Sequence, residues 1–191
     1  MNNSLRNVKL LAIVGMAGAG KSVIIDYLTS HGIPKSYFGG MNLKEMEKRG
    51  IEITPENEKV FRKQIREEEG ADWVARQVIA EVNDLIAAGQ KRIVLDGLYS
   101  WTEYKTLKKE FPGDQLTVIA VVSPRHLRYE RLANRPVRPF DRQAARERDY
   151  HEIETIEKGG PIAIADYYII NDGSIEDLYA QLKPILTEIN F

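Results

Sequence analysis

Apolar residues along the chain come in two textures, short unbroken runs and helical spacing, and these alternate from one end to the other. After a polar tail, Met1 to Asn7, "VKLLAIVG" reads as a buried strand. "KSVIIDYLTSHG" follows a glycine loop and reads as a helix stopped by Gly32. A short second strand is predicted near Ile33 to Phe38, before Gly39-Gly40. Met41 to Ala88 is helical in pattern. In "TPENEKVFRKQIREEEG", Thr54 is the cap, Pro55 lies in the first turn and Gly70 is the stop. In "ADWVARQVIAEVNDLIAAG", Trp73, Val74, Val78, Val82, Leu85 and Ile86 recur at helical spacing.

"KRIVLDG" is the third predicted strand. The helix "SWTEYKTLKKEFPG" opens on a Ser-x-x-Glu capping box at Ser100 and Glu103. "QLTVIAVVSP" is the fourth strand, and Pro124 opens the helix "RHLRYERLANR". An arginine-rich break precedes a charged helix, Asp141 to Glu157. "ADYYIIN" is the fifth strand, and Asp172-Gly173 turns into a last helix from Ser174. Strands alternating with helices, without hairpin turn signals, predict an α/β fold: a parallel sheet covered on both faces.

Composition narrows the class. The 191 residues form one expected domain, 1–191, large enough for a real core. A net charge of -1 argues against a nucleic-acid binder. The absence of cysteine excludes disulfides and thiolate metal sites, and His31, His126 and His151 are too scattered to form a ligand cluster. No apolar run approaches the roughly 18 residues of a membrane span, and no signal-peptide pattern opens the chain. The expectation is a cytoplasmic protein without a membrane partner.

The loop between the first strand and helix carries the chemistry. Gly15, Met16, Ala17, Gly18, Ala19, Gly20, Lys21 and Ser22 satisfy G-x-x-x-x-G-K-[ST]. Glycines let successive backbone N–H groups turn inward on phosphate oxygens, and the following helix points its positive end at the same anion. Lys21 then bridges the β- and γ-phosphates and the Ser22 hydroxyl ligates Mg²⁺. A ligand-free glycine turn is the bland alternative, and the full match in a strand–loop–helix context disfavours it.

Asp96 ends a buried strand, where ligands gather in open α/β sheets, and it is the candidate acid holding Mg²⁺ through water. An ordinary Asp-Gly turn is the competing reading. The stretch 125–149 holds Arg125, Arg128, Arg131, Arg135, Arg138, Arg142, Arg146 and Arg148. An arginine-bearing lid over about 135–148 would stabilise charge on a moving phosphoryl group and exclude water, with Arg131, Arg135 and Arg138 as catalytic candidates. A solvated helix pair neutralised by Glu130, Asp141, Glu147 and Asp149 is the alternative. Arg62 and Arg66, one turn apart, are candidate clamps for an anionic acceptor, as is Arg142, although "REEEG" offers pairing acids nearby.

These segments together resemble dephospho-CoA kinase and its nucleoside-monophosphate-kinase-like relatives, including a group of uncharacterised nucleotide-kinase-like proteins. The resemblance runs through the Gly15–Ser22 loop, residues 49–75, "IVLDG", "RYERLANR" and "ADYYIINDGSIEDL". It implies a five-stranded parallel sheet in the order 2-3-1-4-5, an acceptor-binding helical region over about 39–88, and a lid. Dephospho-CoA kinases carry an acidic motif after the second strand, whereas this chain reads "YFGGMNLKE", with no acid between Asp26 and Glu45. Gly39-Gly40, Leu43 and Tyr99 stand where Gly-Asp and arginines are expected.

A hydroxyl acceptor needs a carboxylate to take its proton, and Asp96 is the only well-placed candidate. A phosphate acceptor needs cations instead. No N-K-x-D or L-S-G-G-Q motif is present, which favours ATP over GTP. The reading is an ATP- and Mg²⁺-dependent kinase acting on a small nucleotide-like acceptor, dephospho-CoA or a nucleoside monophosphate. A nucleotide-binding switch or ATPase on the same scaffold stays open.

Overall fold

The computed structural model describes residues 7–191, so nearly all of the polar tail expected at Met1 to Asn7 lies outside the described residues. The elements run β1 (Lys9–Val14), α1 (Lys21–Ser30), β2 (Lys35–Tyr37), α2 (Phe38–Lys48), α3 (Pro55–Glu69), α4 (Trp73–Ala87), β3 (Arg92–Asp96) and α5 (Trp101–Glu110). They continue as β4 (Leu116–Val122), α6 (Arg125–Asn134), α7 (Arg142–Glu154), α8 (Gly159–Ala163), β5 (Tyr167–Ile170) and α9 (Ile175–Glu188). The five strands form one sheet in the order β2-β3-β1-β4-β5, every pairing parallel, as expected.

The unbroken aliphatic runs follow from burial on both faces. Leu10, Ala12 and Val14 of β1 join Ile93, Leu95, Val118 and Ala120 under α2, α3, α4 and α5. The alternate residues Leu11 and Ile13 join Val94, Ile119, Val121 and Ile169 under α1 and α9. Trp73, Val74, Val78 and Val82 are buried in the first of these cores, as their spacing predicts. Thr54 accepts from the Asn57 N–H at 3.1 Å, and both serine capping boxes, at Ser100 with Glu103 and at Ser174 with Asp177, are complete.

Two local expectations change. Gly39-Gly40 does not break the chain after β2 but lies in the first turn of α2. The Tyr37 ring packs over it: a Cβ on Gly39 would lie 2.4 Å from the Tyr37 hydroxyl oxygen. The charged helix expected through Glu157 ends at Glu154, and Glu157 adopts φ 60° before the short α8. Among the described residues no helix is long and apolar enough to cross a membrane.

Candidate functional site

Strands β1 and β3 run in register, Ile13 beside Asp96, so the glycine loop and the strand-end acid emerge at the same edge of the sheet. Gly15, Gly18 and Gly20 give the loop its close turns, all at positive φ. Gly15 has φ +146°, and a Cβ there would lie 2.4 Å from the Val121 carbonyl oxygen. Gly20 caps α1 at φ +100°, a left-handed conformation costly for a residue with a side chain. No side chain caps α1; the Val23 N–H bonds the Gly20 carbonyl at 3.2 Å, and the helix start ahead of it is open to an anion.

Lys21 folds back over the loop, donating to the Gly15 carbonyl at 2.8 Å and the Met16 carbonyl at 3.1 Å. Burial, reinforced by the positive charge of Lys158, lowers its pKa to about 7, against the attraction of Glu152 and Asp96. Asp96 is half-buried, with Lys35 Nζ at 3.7 Å. Burial raises its pKa, and the nearby Lys35 and Lys21 pull the other way. Among the described residues no three His, Asp or Glu side chains gather into a metal cage. Ser22, Asp96 and nucleotide phosphates suit Mg²⁺, which usually takes one or two protein oxygens and keeps several waters.

Three side chains fix the loop from outside. Asn171 Nδ2 donates to the Ala19 carbonyl at 2.8 Å. Arg128, buried in α6, forks onto Asp149 of α7 at 2.8 and 2.7 Å and donates to the Ala17 carbonyl at 3.0 Å. Glu152, one turn beyond Asp149, accepts from the Ala17 N–H at 3.0 Å. Helix α7 therefore holds the Ala17 N–H directly through Glu152, holds its carbonyl indirectly through the Asp149–Arg128 fork, and forms a wall of the site.

Beside Ala17 opens a cavity of about 460 Å³. Tyr37, Phe38, Trp73, Tyr99 and Phe140 give it aromatic surface, and Arg62, Arg66, Arg135, Arg138, Arg148 and Lys158 give it positive charge. Glu58 holds Arg62 at 3.1 Å and Arg138 at 3.9 Å. The Arg135 guanidinium stacks 4.4 Å from the Phe140 ring centre. Asn42 also lines the cavity; its buried Oδ1 meets no hydrogen-bond donor among the described residues. Tyr99, in the place expected of an arginine, is held as a neutral phenol: burial, then Tyr37 and Asp96, raise its pKa.

The structure thus brings Arg62, Arg66, Arg135 and Arg138 to one cavity. Arg131 lies elsewhere, donating to Ser123 Oγ at 3.0 Å and the Asn171 carbonyl at 3.1 Å. Arg142 sits at the exposed start of α7, outside the cavity lining. Sequence reasoning missed Asn42, Glu152 and Lys158. The spacing Ala145, Asp149, Glu152 was the available signal, since it marks one inward face of α7.

A family model described as an AAA domain matches residues 11–157. A UPF0200 protein of Thermococcus onnurineus is 33% identical over 182 residues, covering 94% of this chain and 97% of that one. Among solved structures, TT1252 from Thermus thermophilus superposes with a TM-score of 0.64 at 20% identity, covering 96% of this chain and 98% of its own. Shikimate kinase from Bacteroides thetaiotaomicron gives 0.57 at 10% identity, covering 96% and 99%. At these identities the structural likeness shows the fold alone, that of P-loop kinases.

Proposed function

The chain belongs to the AAA domain family and to the UPF0200 proteins, and from that premise we propose that it is an ATP-dependent small-molecule kinase. It moves the γ-phosphoryl group of MgATP to a nucleotide-like acceptor. The observation that carries the reading is the position of Ala17, which belongs to the phosphate loop and at the same time lines the cationic, aromatic cavity. Donor and acceptor sites meet there.

The N–H groups of residues 15–22 and Lys21 hold the triphosphate. Ser22 and Asp96 would hold Mg²⁺ when it is bound, and the ion would supply charge neutralisation for the transferred phosphoryl group. Arg62 and Arg66 hold the acceptor's anionic end, and Arg135 and Arg138 approach from the segment before α7. Arg131 acts through Asn171, which fixes the Ala19 carbonyl. The cavity volume fits a nucleotide-sized molecule.

A nucleoside monophosphate is favoured over dephospho-CoA as acceptor. The overall resemblance points to dephospho-CoA, but the Tyr37 ring fills the space beside Gly39-Gly40 where that family's acid is expected. A phosphate acceptor is already anionic and needs the cations present here rather than a base. The Asn42 carbonyl supports the same choice, because an N–H of a nucleobase would satisfy it.

Thermal-shift measurements with a nonhydrolysable ATP analogue, alone and with each nucleoside monophosphate or dephospho-CoA, test the reading. One acceptor should stabilise the protein well beyond the analogue alone. A shift from the analogue with silence across the acceptors would instead indicate an ATP-binding switch.

A further inference from the structure

Behind the phosphate loop lies an ionic cluster that the roles above leave unused. Glu152 is only 1% exposed and Lys158 only 3%. One oxygen of Glu152 accepts from the Ala17 N–H at 3.0 Å; the other accepts from Arg148 Nε at 2.9 Å and Lys158 Nζ at 3.0 Å. Lys158 Nζ also lies 5.0 Å from the Tyr99 ring centre. Arg148, Lys158, Tyr99 and Ala17 all face the cavity.

The stoichiometry is informative. A buried charge is expensive unless paired, and a purely structural pair would match one cation to one carboxylate. Here one buried carboxylate serves the buried Lys158 and also Arg148, whose side chain is 44% exposed and lines the cavity, so positive charge is turned toward the junction of the loop and the cavity. Burial tends to raise the Glu152 pKa, but Lys158 and Arg148 outweigh it and hold the carboxylate ionised. After burial, Lys158 is the strongest influence lowering Lys21, so the two ammonium groups lie close enough to repel. Surplus positive charge beside the end of a triphosphate is what a phosphoryl group in flight requires.

We propose that Lys158 and Arg148, held by Glu152 against Ala17, form the clamp on the phosphoryl group during transfer, with Lys158 as a catalytic cation and Glu152 as a positioning residue. The proposal rests on the kinase reading of the loop and cavity. As the bond from the γ-phosphorus to the bridging oxygen breaks, its electron pair stays on ADP, and an acceptor phosphate oxygen bonds to phosphorus. No proton has to leave an anionic acceptor. Lys158 and Arg148 donate N–H groups to the equatorial oxygens throughout.

The test requires no acceptor. MgADP affinity is measured with and without aluminium fluoride, which mimics the phosphoryl group in transit. In the wild type, fluoride should tighten MgADP binding at least about tenfold, as transition-state mimics do. Lys158→Met should still bind MgADP but lose the tightening, read as the ratio of its affinities with and without fluoride. Lys158→Arg should keep part of it, and Glu152→Gln should lose part of it although its amide oxygen can still accept from Ala17. If Lys158→Met does not fold, Lys158→Gln is read by the same ratio. Full tightening in the lysine variants, or none in a wild type that binds MgADP, overturns the clamp while leaving the nucleotide site intact. A wild type that does not bind MgADP at all overturns the kinase reading itself.

Discussion

The ammonium of Lys21 donates to the carbonyl oxygen of Gly15 at 2.8 Å, so in the absence of nucleotide this lysine is held by the loop it serves. Burial and Lys158 lower its pKa to about 7, so above that pH the unliganded protein holds it neutral. A bound polyphosphate favours the charged form. Nucleotide binding should therefore take up a proton above pH 7, with affinity falling as pH rises, by up to about tenfold per unit from this group. Calorimetry in buffers of different ionisation enthalpy checks the uptake, and Lys21→Arg, permanently charged, should reduce it. The same shift means the unfolded chain binds the extra proton between pH 7 and 10.5, so this group adds stability as pH rises through that window.

The Arg128–Asp149 fork joins α6 to α7 and reaches Ala17 with one further N–H. Removing one partner leaves a buried charge uncompensated, so Arg128→Met should lose about 3–5 kcal/mol of stability in urea denaturation. Adding Asp149→Leu should recover part of that loss, because no lone charge then remains. Equal and additive losses would show that the pair is not coupled.

Asn42 carries a buried carbonyl without a donor among the described residues. An orphaned polar atom costs about 1–3 kcal/mol, so Asn42→Leu should hold or raise the melting temperature of the unliganded protein. It should also abolish the added stabilisation by whichever nucleoside monophosphate acts on the wild type. A fall in melting temperature with the acceptor response intact would assign Asn42 to structure instead.

Much of the fold was legible because its determinants are local. Apolar runs marked β1, β3, β4 and β5, and Ser100, Thr54 and Ser174 marked helix starts that the side-chain bonds reproduce. The glycine loop was legible because its spacing has a mechanical cause. Less was visible where tertiary contacts decide the outcome. Gly39-Gly40 reads locally as a break, yet the Tyr37 ring over it lets α2 begin at Phe38. Glu152 and Lys158 lie in a charged stretch with no apolar pattern to mark them as buried, and only the folding of the chain around α7 and α8 against the loop buries them together. The arginine block divided for the same reason: Arg135 and Arg138 face the cavity, Arg128 is spent on Asp149, and Arg131 reaches Asn171.

Titration calorimetry of MgATP into the wild type and Lys21→Ala addresses the central claim, that this loop and its lysine grip a nucleoside triphosphate. The account predicts saturable, magnesium-dependent binding at one site per chain, lost or severely weakened in the variant. Absence of heat in the wild type over a range of temperatures, or equal binding by both proteins, would contradict it.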